Sequence, residues 1–214
     1  IKAVRIGTAN NTNKLIINEI QLSIPKFRST WTATSTKLEA EQTQVDLAAI
    51  RAENVVKQPL QFNFPSQFDG QLPSAKKGVI KAAVIREKGS NSEREMAYAM
   101  DLSGFEVRDV HMTDLIEGRE TLEDIQFLVA VGGFSNSDVL GSAKGWAGAF
   151  KYNAKAKAAI TNFFARPDTL SLGVCNGCQL FVELGLLTPE HSSLPKMLHN
   201  DSGKFECHFT SVTI

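Results

Sequence analysis

Apolar and polar residues change rhythm several times along the chain, and each change predicts an element. Ile1-Lys-Ala-Val-Arg-Ile6 alternates, Gly7–Asn13 is Asn-rich turn chemistry, and Leu15-Ile-Ile-Asn-Glu-Ile20 is apolar again. That pattern predicts strand, turn and strand over residues 1–24. Ile24-Pro25 ends it. From Phe27 to about Glu53, Trp31, Leu38, Val45 and Ile50 recur near a helical period, with polar residues between them. Gln58–Lys77 carries Pro59, Pro65 and Pro73 among Phe62, Phe64 and Phe68. This reads as an extended linker, greasy enough to lie on a surface.

At Gly78 the rhythm changes again. Val79-Ile-Lys-Ala-Ala-Val-Ile85 is a near-continuous apolar run, as in a strand buried on both faces. Arg86–Asn91 is a polar turn. Ser92-Glu-Arg-Glu95 reads as a capping box opening a helix that ends at Ser103-Gly104. Strands follow at Phe105–Val110, Gln126–Val131 and Leu170–Val174, with a helix over Gly145–Phe164 and another after Cys175 to about Leu184. Strands alternating with helices predict an open parallel sheet with helices on both faces, an α/β fold. The predicted organisation is a hairpin over 1–24, a linker with one helix over 25–78, and the α/β domain over 79–214.

Composition narrows the function. The 214 residues hold 23 Lys+Arg and 23 Asp+Glu, a formal net charge of zero, which argues against a general nucleic-acid binder. With 43% hydrophobic and 21% charged residues the chain can bury a core. No apolar run approaches the roughly 18 residues of a membrane span, and no signal peptide is visible. The chain starts at Ile1 without Met, as a processed protein or a fragment would. Cys175, Cys178 and Cys207 are too few for a disulfide framework and fit a reducing cytosol. Four histidines (His111, His191, His199 and His208) make zinc arithmetically possible, but no second paired cluster at ligand spacing accompanies the cysteines.

The chemistry concentrates in Gly173-Val-Cys175-Asn-Gly177-Cys-Gln179, between a predicted strand and a predicted helix. A nucleophile between two nearby glycines at such a turn is the nucleophile-elbow arrangement, which demands strained backbone at the nucleophile. The thiol would stand at a helix N-terminus, whose dipole favours thiolate, and the Asn176 N–H would point toward a forming oxyanion. Two other readings stay open: a Cys175–Cys178 redox pair, although the usual Pro and Trp are missing, and a structural cysteine in a tight turn. Gly132-Gly133-Phe134-Ser135 follows the Gln126–Val131 strand. Strand ends on one edge of a parallel sheet share a crevice, so Gly133 could offer a second N–H to the same oxyanion.

The elbow resembles that of the class I, triad-type glutamine amidotransferases. More narrowly, the chain resembles the amidotransferase domains of the phosphoribosylformylglycinamidine synthases. The matching segments are Arg86–Ser92, Asp109–Asp114, Gly132–Ser135 with Asp138, Phe163–Asp168, the Cys175 elbow and Asn200–Glu206, in family order over 79–214. Ile24-Pro25, Trp31, Thr34-Ser35 and Leu38-Glu39 look like the segment that connects this domain to the synthase body in the large single-chain form, and residues 1–24 like the last hairpin of that body. The resemblance implies a flavodoxin-like fold, Cys175 as nucleophile and glutamine as substrate, contacted by Gln179 and Phe134. It also implies a synthase body on the same polypeptide as partner, and ATP and Mg bound there. No cofactor, metal, nucleic acid or membrane is expected for these residues, and the expected location is cytoplasmic. No Gly-x-x-x-x-Gly-Lys-Ser/Thr loop occurs in the chain.

The chain departs from the family twice. Where the family reads Gly-Gly-Phe-Ser-Tyr-Gly-Asp, this chain has Asn136-Ser137 before Asp138. The family also places its base as His-x-Glu far beyond the nucleophile, and no His-x-Glu occurs here; Glu206-Cys-His208 has the reverse order, and His191 falls in a loop. The expectation is therefore a C-terminally truncated domain that lacks its base and is inactive alone. The rival readings are another cysteine hydrolase on the same elbow and a non-catalytic interaction fragment.

Overall fold

A computed structural model describes residues 2–54, 66, 70 and 80–207. The proline-rich stretch within Gln58–Lys77, apart from Ser66 and Gly70, lies outside the described residues, as do Val79 and His208. The chain divides into two compact units, residues 1–65 with 199–214, and residues 66–198.

In the first unit, β1 (Lys14–Ile17) and β2 (Ile20–Ser23) form an antiparallel pair with Ile17 opposite Ile20. No strand forms at the described residues 2–6; the hairpin instead spans Lys14–Ser23, with its turn inside the second apolar run. Its turn is Asn18-Glu19, and Asn18 adopts φ 54°, a left-handed conformation that Asn tolerates. The Ser23 hydroxyl accepts from the Lys26 N–H at 3.4 Å and opens α1 (Ile24–Gln42), with Pro25 in the first turn, where no N–H is needed. The single helix expected in the linker is two helices. Thr43 is extended, and α2 (Val45–Asn54) starts after it. Backbone carbonyls fill the break: Thr43 Oγ1 donates to Ser202 O, and Gln44 Nε2 donates to Asp201 O at 2.8 Å. Lys204 Nζ lies 2.8 Å from the Glu39 carboxylate, and Arg51 pairs with both Glu39 and Glu206. Lys204, with Arg51, holds the Glu39 carboxyl below its ordinary range. The helical spacing of Trp31, Leu38, Val45 and Ile50 does not produce burial in the described unit, since Trp31 is 86% exposed.

The second unit is built from β3 (Lys81–Arg86), β4 (Ser90–Asn91), α3 (Glu93–Leu102), β5 (Glu106–His111) and α4 (Met112–Glu117). It continues through β6 (Phe127–Ala130), β7 (Gly132–Gly133), α5 (Lys144–Tyr152), α6 (Ala154–Ala165), β8 (Leu170–Gly173) and α7 (Asn176–Leu184). Four parallel strands run in the order β5-β3-β6-β8, the doubly wound order expected of a flavodoxin-like sheet.

The apolar run of β3 explains itself: Ala82, Ala83, Val84 and Ile85 are all fully buried. Ala83 and Ile85 join Leu128, Ala130, Trp146, Phe150, Phe163 and Phe181 in one cluster. Ala82 and Val84 join Met100, Val129 and Val131 in the other. Helix α3 thus covers one face, and α4 to α7 cover the other.

Two local expectations change, and one cap is new. Ser92 does precede α3, but at φ 71° it makes no side-chain cap; instead Asn91 Oδ1 accepts the Ser92 N–H at 2.7 Å. A reciprocal cap occurs at α4, which the apolar pattern did not signal. There His111 Nδ1 accepts from the Thr113 N–H, and Asp114 Oδ2 accepts from the His111 N–H. The helix expected over Gly145–Phe164 breaks at Asn153, whose Oδ1 accepts from the Ala156 N–H at 2.9 Å and starts α6. One arginine secures the approach to β6. Arg166 donates to the carbonyls of Leu122, Glu123 and Ile125 at 3.1, 2.7 and 2.9 Å, holding a turn in which buried Leu122 has φ 61°.

Candidate active site

The C-terminal ends of β3, β6 and β8 bring three loops to one edge of the sheet. The loop after β3 forms β4, which pairs antiparallel with β7 at the end of β6. The third loop is the turn from β8 into α7.

Cys175 occupies that turn with φ 51° and ψ −108°, a conformation L-residues adopt only under constraint. Both flanking glycines are sterically required. A Cβ on Gly173 would lie 2.7 Å from Cys178 Cα, and one on Gly177 would lie 2.0 Å from the carbonyl oxygen of Ala130. The turn is closed by Gly177 N–H donating to Val174 O and Gln179 N–H donating to Cys175 O, at 2.9 and 3.1 Å. Cys175 is exposed and Cys178 half-buried. Cys207 is exposed as well, so exposure alone does not single out Cys175. All three are free thiols. The Asn176 N–H sits at the first position of α7, where a helix offers no acceptor of its own.

The Gly-Gly turn lies beside the elbow. A Cβ on Gly132 would stand 3.4 Å from Cys175 Cβ. Gly133, at φ 108°, packs so tightly on the β3–β4 loop that a Cβ there would lie 2.6 Å from the Asn91 nitrogen. Phe134 N–H donates to Gly89 O at 2.9 Å, and the Phe134 ring is 72% exposed. Asn136, Ser137 and Asp138 then follow with φ 53°, 57° and 50°. Ser137 therefore carries a side chain at a left-handed position where the family pattern has glycine.

A set of polar contacts that sequence reasoning missed joins this turn to the elbow. The buried Asn176 carboxamide accepts the Ser135 N–H at 3.0 Å and donates to Asp138 Oδ1 at 3.2 Å and Gln179 Oε1 at 2.9 Å. Asp138 Oδ1 also accepts the Ala143 N–H at 3.1 Å. Asp138 was the available signal, as part of the matching segment, but nothing local in the sequence assigned it a partner.

No hydrogen bond joins a histidine to the Cys175 thiol among the described residues. His191 is exposed beside Glu190, and His208 lies outside the described residues. Among the described residues no group of three or more His, Cys, Asp or Glu is arranged to hold a metal ion. No described helix is long and apolar enough to cross a membrane.

Sheet order and elbow together define a class: a parallel α/β domain organised around a cysteine on a strained strand-to-helix turn. Residues 79–214, well over half of the chain, match the CobB/CobQ-like glutamine amidotransferase domain, and the chain belongs to that family. It is 50% identical over 140 residues to a protein of Arabidopsis thaliana named probable phosphoribosylformylglycinamidine synthase, chloroplastic/mitochondrial. That match takes in 63% of this chain and spans about 10% of the length of the relative. A solved structure described as PurLQS from Thermotoga maritima shares 30% identity, covering 60% of this chain and 52% of that one, with a TM-score of 0.48.

Proposed function

We propose that this domain hydrolyses glutamine within a phosphoribosylformylglycinamidine synthase, in purine synthesis. The observation that carries the reading is the strained, exposed Cys175 at the sheet edge that also holds the Gly132-Gly133 turn. The Cys175 thiolate attacks the side-chain amide carbon of glutamine, and the N–H groups of Gly133 and Asn176 receive the oxyanion. The proton that the Cys175 thiol gives up ends on the amide nitrogen, so the C–N bond breaks, ammonia leaves and a glutamyl thioester remains. Water hydrolyses the thioester to glutamate and frees the thiol. Gln179 and Phe134 contact the bound glutamine. Ammonia passes to a synthase body on the same polypeptide, where ATP and Mg drive formation of the amidine from formylglycinamide ribonucleotide. The reaction classes the whole protein as a ligase with glutamine as nitrogen donor. A reducing, cytoplasmic setting suits the free thiols; the Arabidopsis relative is named for organelles, and imaging of a tagged protein separates the two locations.

Residues 1–214 alone should release little glutamate, because no described residue serves Cys175 as general base, a step typically worth about 10²–10⁴ in rate. The test is glutamate release by the whole polypeptide, by residues 1–214 and by Cys175→Ala in the whole polypeptide, with iodoacetamide labelling mapped in a Cys207→Ser background. Activity of the whole polypeptide lost on Cys175→Ala, with Cys175 labelled before Cys178, is the expected result. An inactive whole polypeptide would favour a non-catalytic interaction role, and equal activity of the short and long forms would place a base among these residues.

A further inference from the structure

The Asn176 side chain lies in the middle of the site, yet the proposed chemistry uses only its backbone N–H. The polarity of its three contacts is forced. The Ser135 N–H can only donate, so Asn176 Oδ1 must face it. The Asp138 carboxylate can only accept, so Asn176 Nδ2 must face Asp138. That same Nδ2 meets Gln179, which must therefore turn its oxygen inward. Gln179 is left with its Nε2 donors directed away from Asn176. The residue is half-buried, and Nε2 donates to no protein group among the described residues. The chain of constraints starts at a backbone N–H that cannot flip and ends at a side-chain amide that otherwise could.

We propose that Asn176 is a positioning residue: through Ser135 and Asp138 it locks the Gln179 amide with its N–H donors toward the site, so that Gln179 recognises an acceptor oxygen of the bound glutamine. This rests on the glutaminase reading. The same carboxamide braces the turn that carries Gly133, so a structural and a recognition role must be separated by experiment.

Asn176→Asp separates them. The new carboxylate still accepts the Ser135 N–H but repels Asp138, and it draws the Gln179 N–H donors inward, leaving the Gln179 oxygen to face the substrate. Asp138→Asn in that background removes the charge repulsion and can turn its amide donor to the new carboxylate; because Asp138 Oδ1 serves both Asn176 and Ala143, that donor is gained at the expense of the Ala143 N–H, and the brace is rebuilt in part. Gln179 stays reversed. The measurements are glutamine KM and kcat and the unfolding temperature of the whole polypeptide for wild type, Asn176→Asp and the double variant. Asn176→Asp should lower the unfolding temperature and raise KM by about tenfold, the loss of one substrate hydrogen bond. The double variant should recover part of the unfolding temperature while KM stays raised. Gln179→Glu, which can accept from Asn176 but offers no donor, should raise KM to a similar degree. KM returning with the unfolding temperature, or KM unchanged in Asn176→Asp, would overturn the inference while leaving the glutaminase reading intact. A wild-type protein that neither binds nor hydrolyses glutamine would overturn both.

Discussion

Replacing glycine with alanine should have opposite effects at two helical positions of the same domain. At Gly177 the new Cβ would stand 2.0 Å from Ala130 O and 2.8 Å from Ala130 Cβ. A carbon needs about 3.3 Å from a carbonyl oxygen, so the first turn of α7 must retreat from β6 by more than about 1 Å. Overpacking of this kind costs about 1–3 kcal/mol. The retreat also stretches the 3.0 Å contact between the Ser135 N–H and Asn176 beyond hydrogen-bonding range. A buried donor left unpaired costs a further ~1–3 kcal/mol. Gly177→Ala should therefore destabilise by about 2–6 kcal/mol, a large part of the roughly 5–15 kcal/mol that holds a domain together. Gly148, inside α5, faces only Tyr152 side-chain carbons at 3.8 Å and beyond, which is ordinary contact. There alanine should add about 0.5–1 kcal/mol through helix propensity alone. Urea unfolding of both variants beside wild type, followed by far-UV circular dichroism, gives both values. A Gly177→Ala midpoint within about 0.5 kcal/mol of wild type would refute the steric reading of the elbow, because that is the range of an indifferent surface substitution.

Ser137→Gly should stabilise the domain by up to about 1 kcal/mol, since it removes a side chain from a left-handed position at φ 57°; a lower urea midpoint would show that the Ser137 side chain has a role of its own. Asp124 sits among Arg108 and Lys81, which hold its carboxyl well below the usual range. Its folded pKa lies under its unfolded one, so its stabilisation is present above about pH 4 and is lost as the pH falls through the folded value. Asp124→Asn should cost about 0.2–1 kcal/mol at pH 7, as for solvent-exposed pairs, and the gap to wild type should close in acid; a gap that widens there reverses the sign. Glu39→Gln removes the shared partner of Lys204 and Arg51 and should expose residues 199–207 to faster amide hydrogen exchange, while exchange in β3 and β6 stays unchanged.

How legible each part was depends on how far apart its determinants lie in the chain. The apolar run at β3 announced a doubly covered strand because burial on both faces leaves no polar alternation to misread. The elbow was legible because Gly173 and Gly177 are steric necessities within four positions of each other. Boundaries set by one side chain were not legible. Asn18 turns a hairpin inside an apolar run, and Thr43 and Asn153 end helices whose periodicity continues past them. A helical period also cannot tell which apolar face is covered, as exposed Trp31 shows. Least legible was the Asn176 clamp. Its link to Ser135 crosses 41 positions and leaves no local pattern; only the packed sheet edge brings the two together.

The pairing of Glu39 with Lys204 spans 165 positions, and it imposes a schedule on synthesis. A ribosome adds about 5–20 residues each second, so α1 and α2 wait roughly 10–30 s after translation for the segment that completes their unit. During that interval the Glu39 carboxylate lacks Lys204 and Thr43 lacks the Ser202 carbonyl, while the sheet encoded between them is made. The first helices made are thus among the last parts of the chain to gain all their partners.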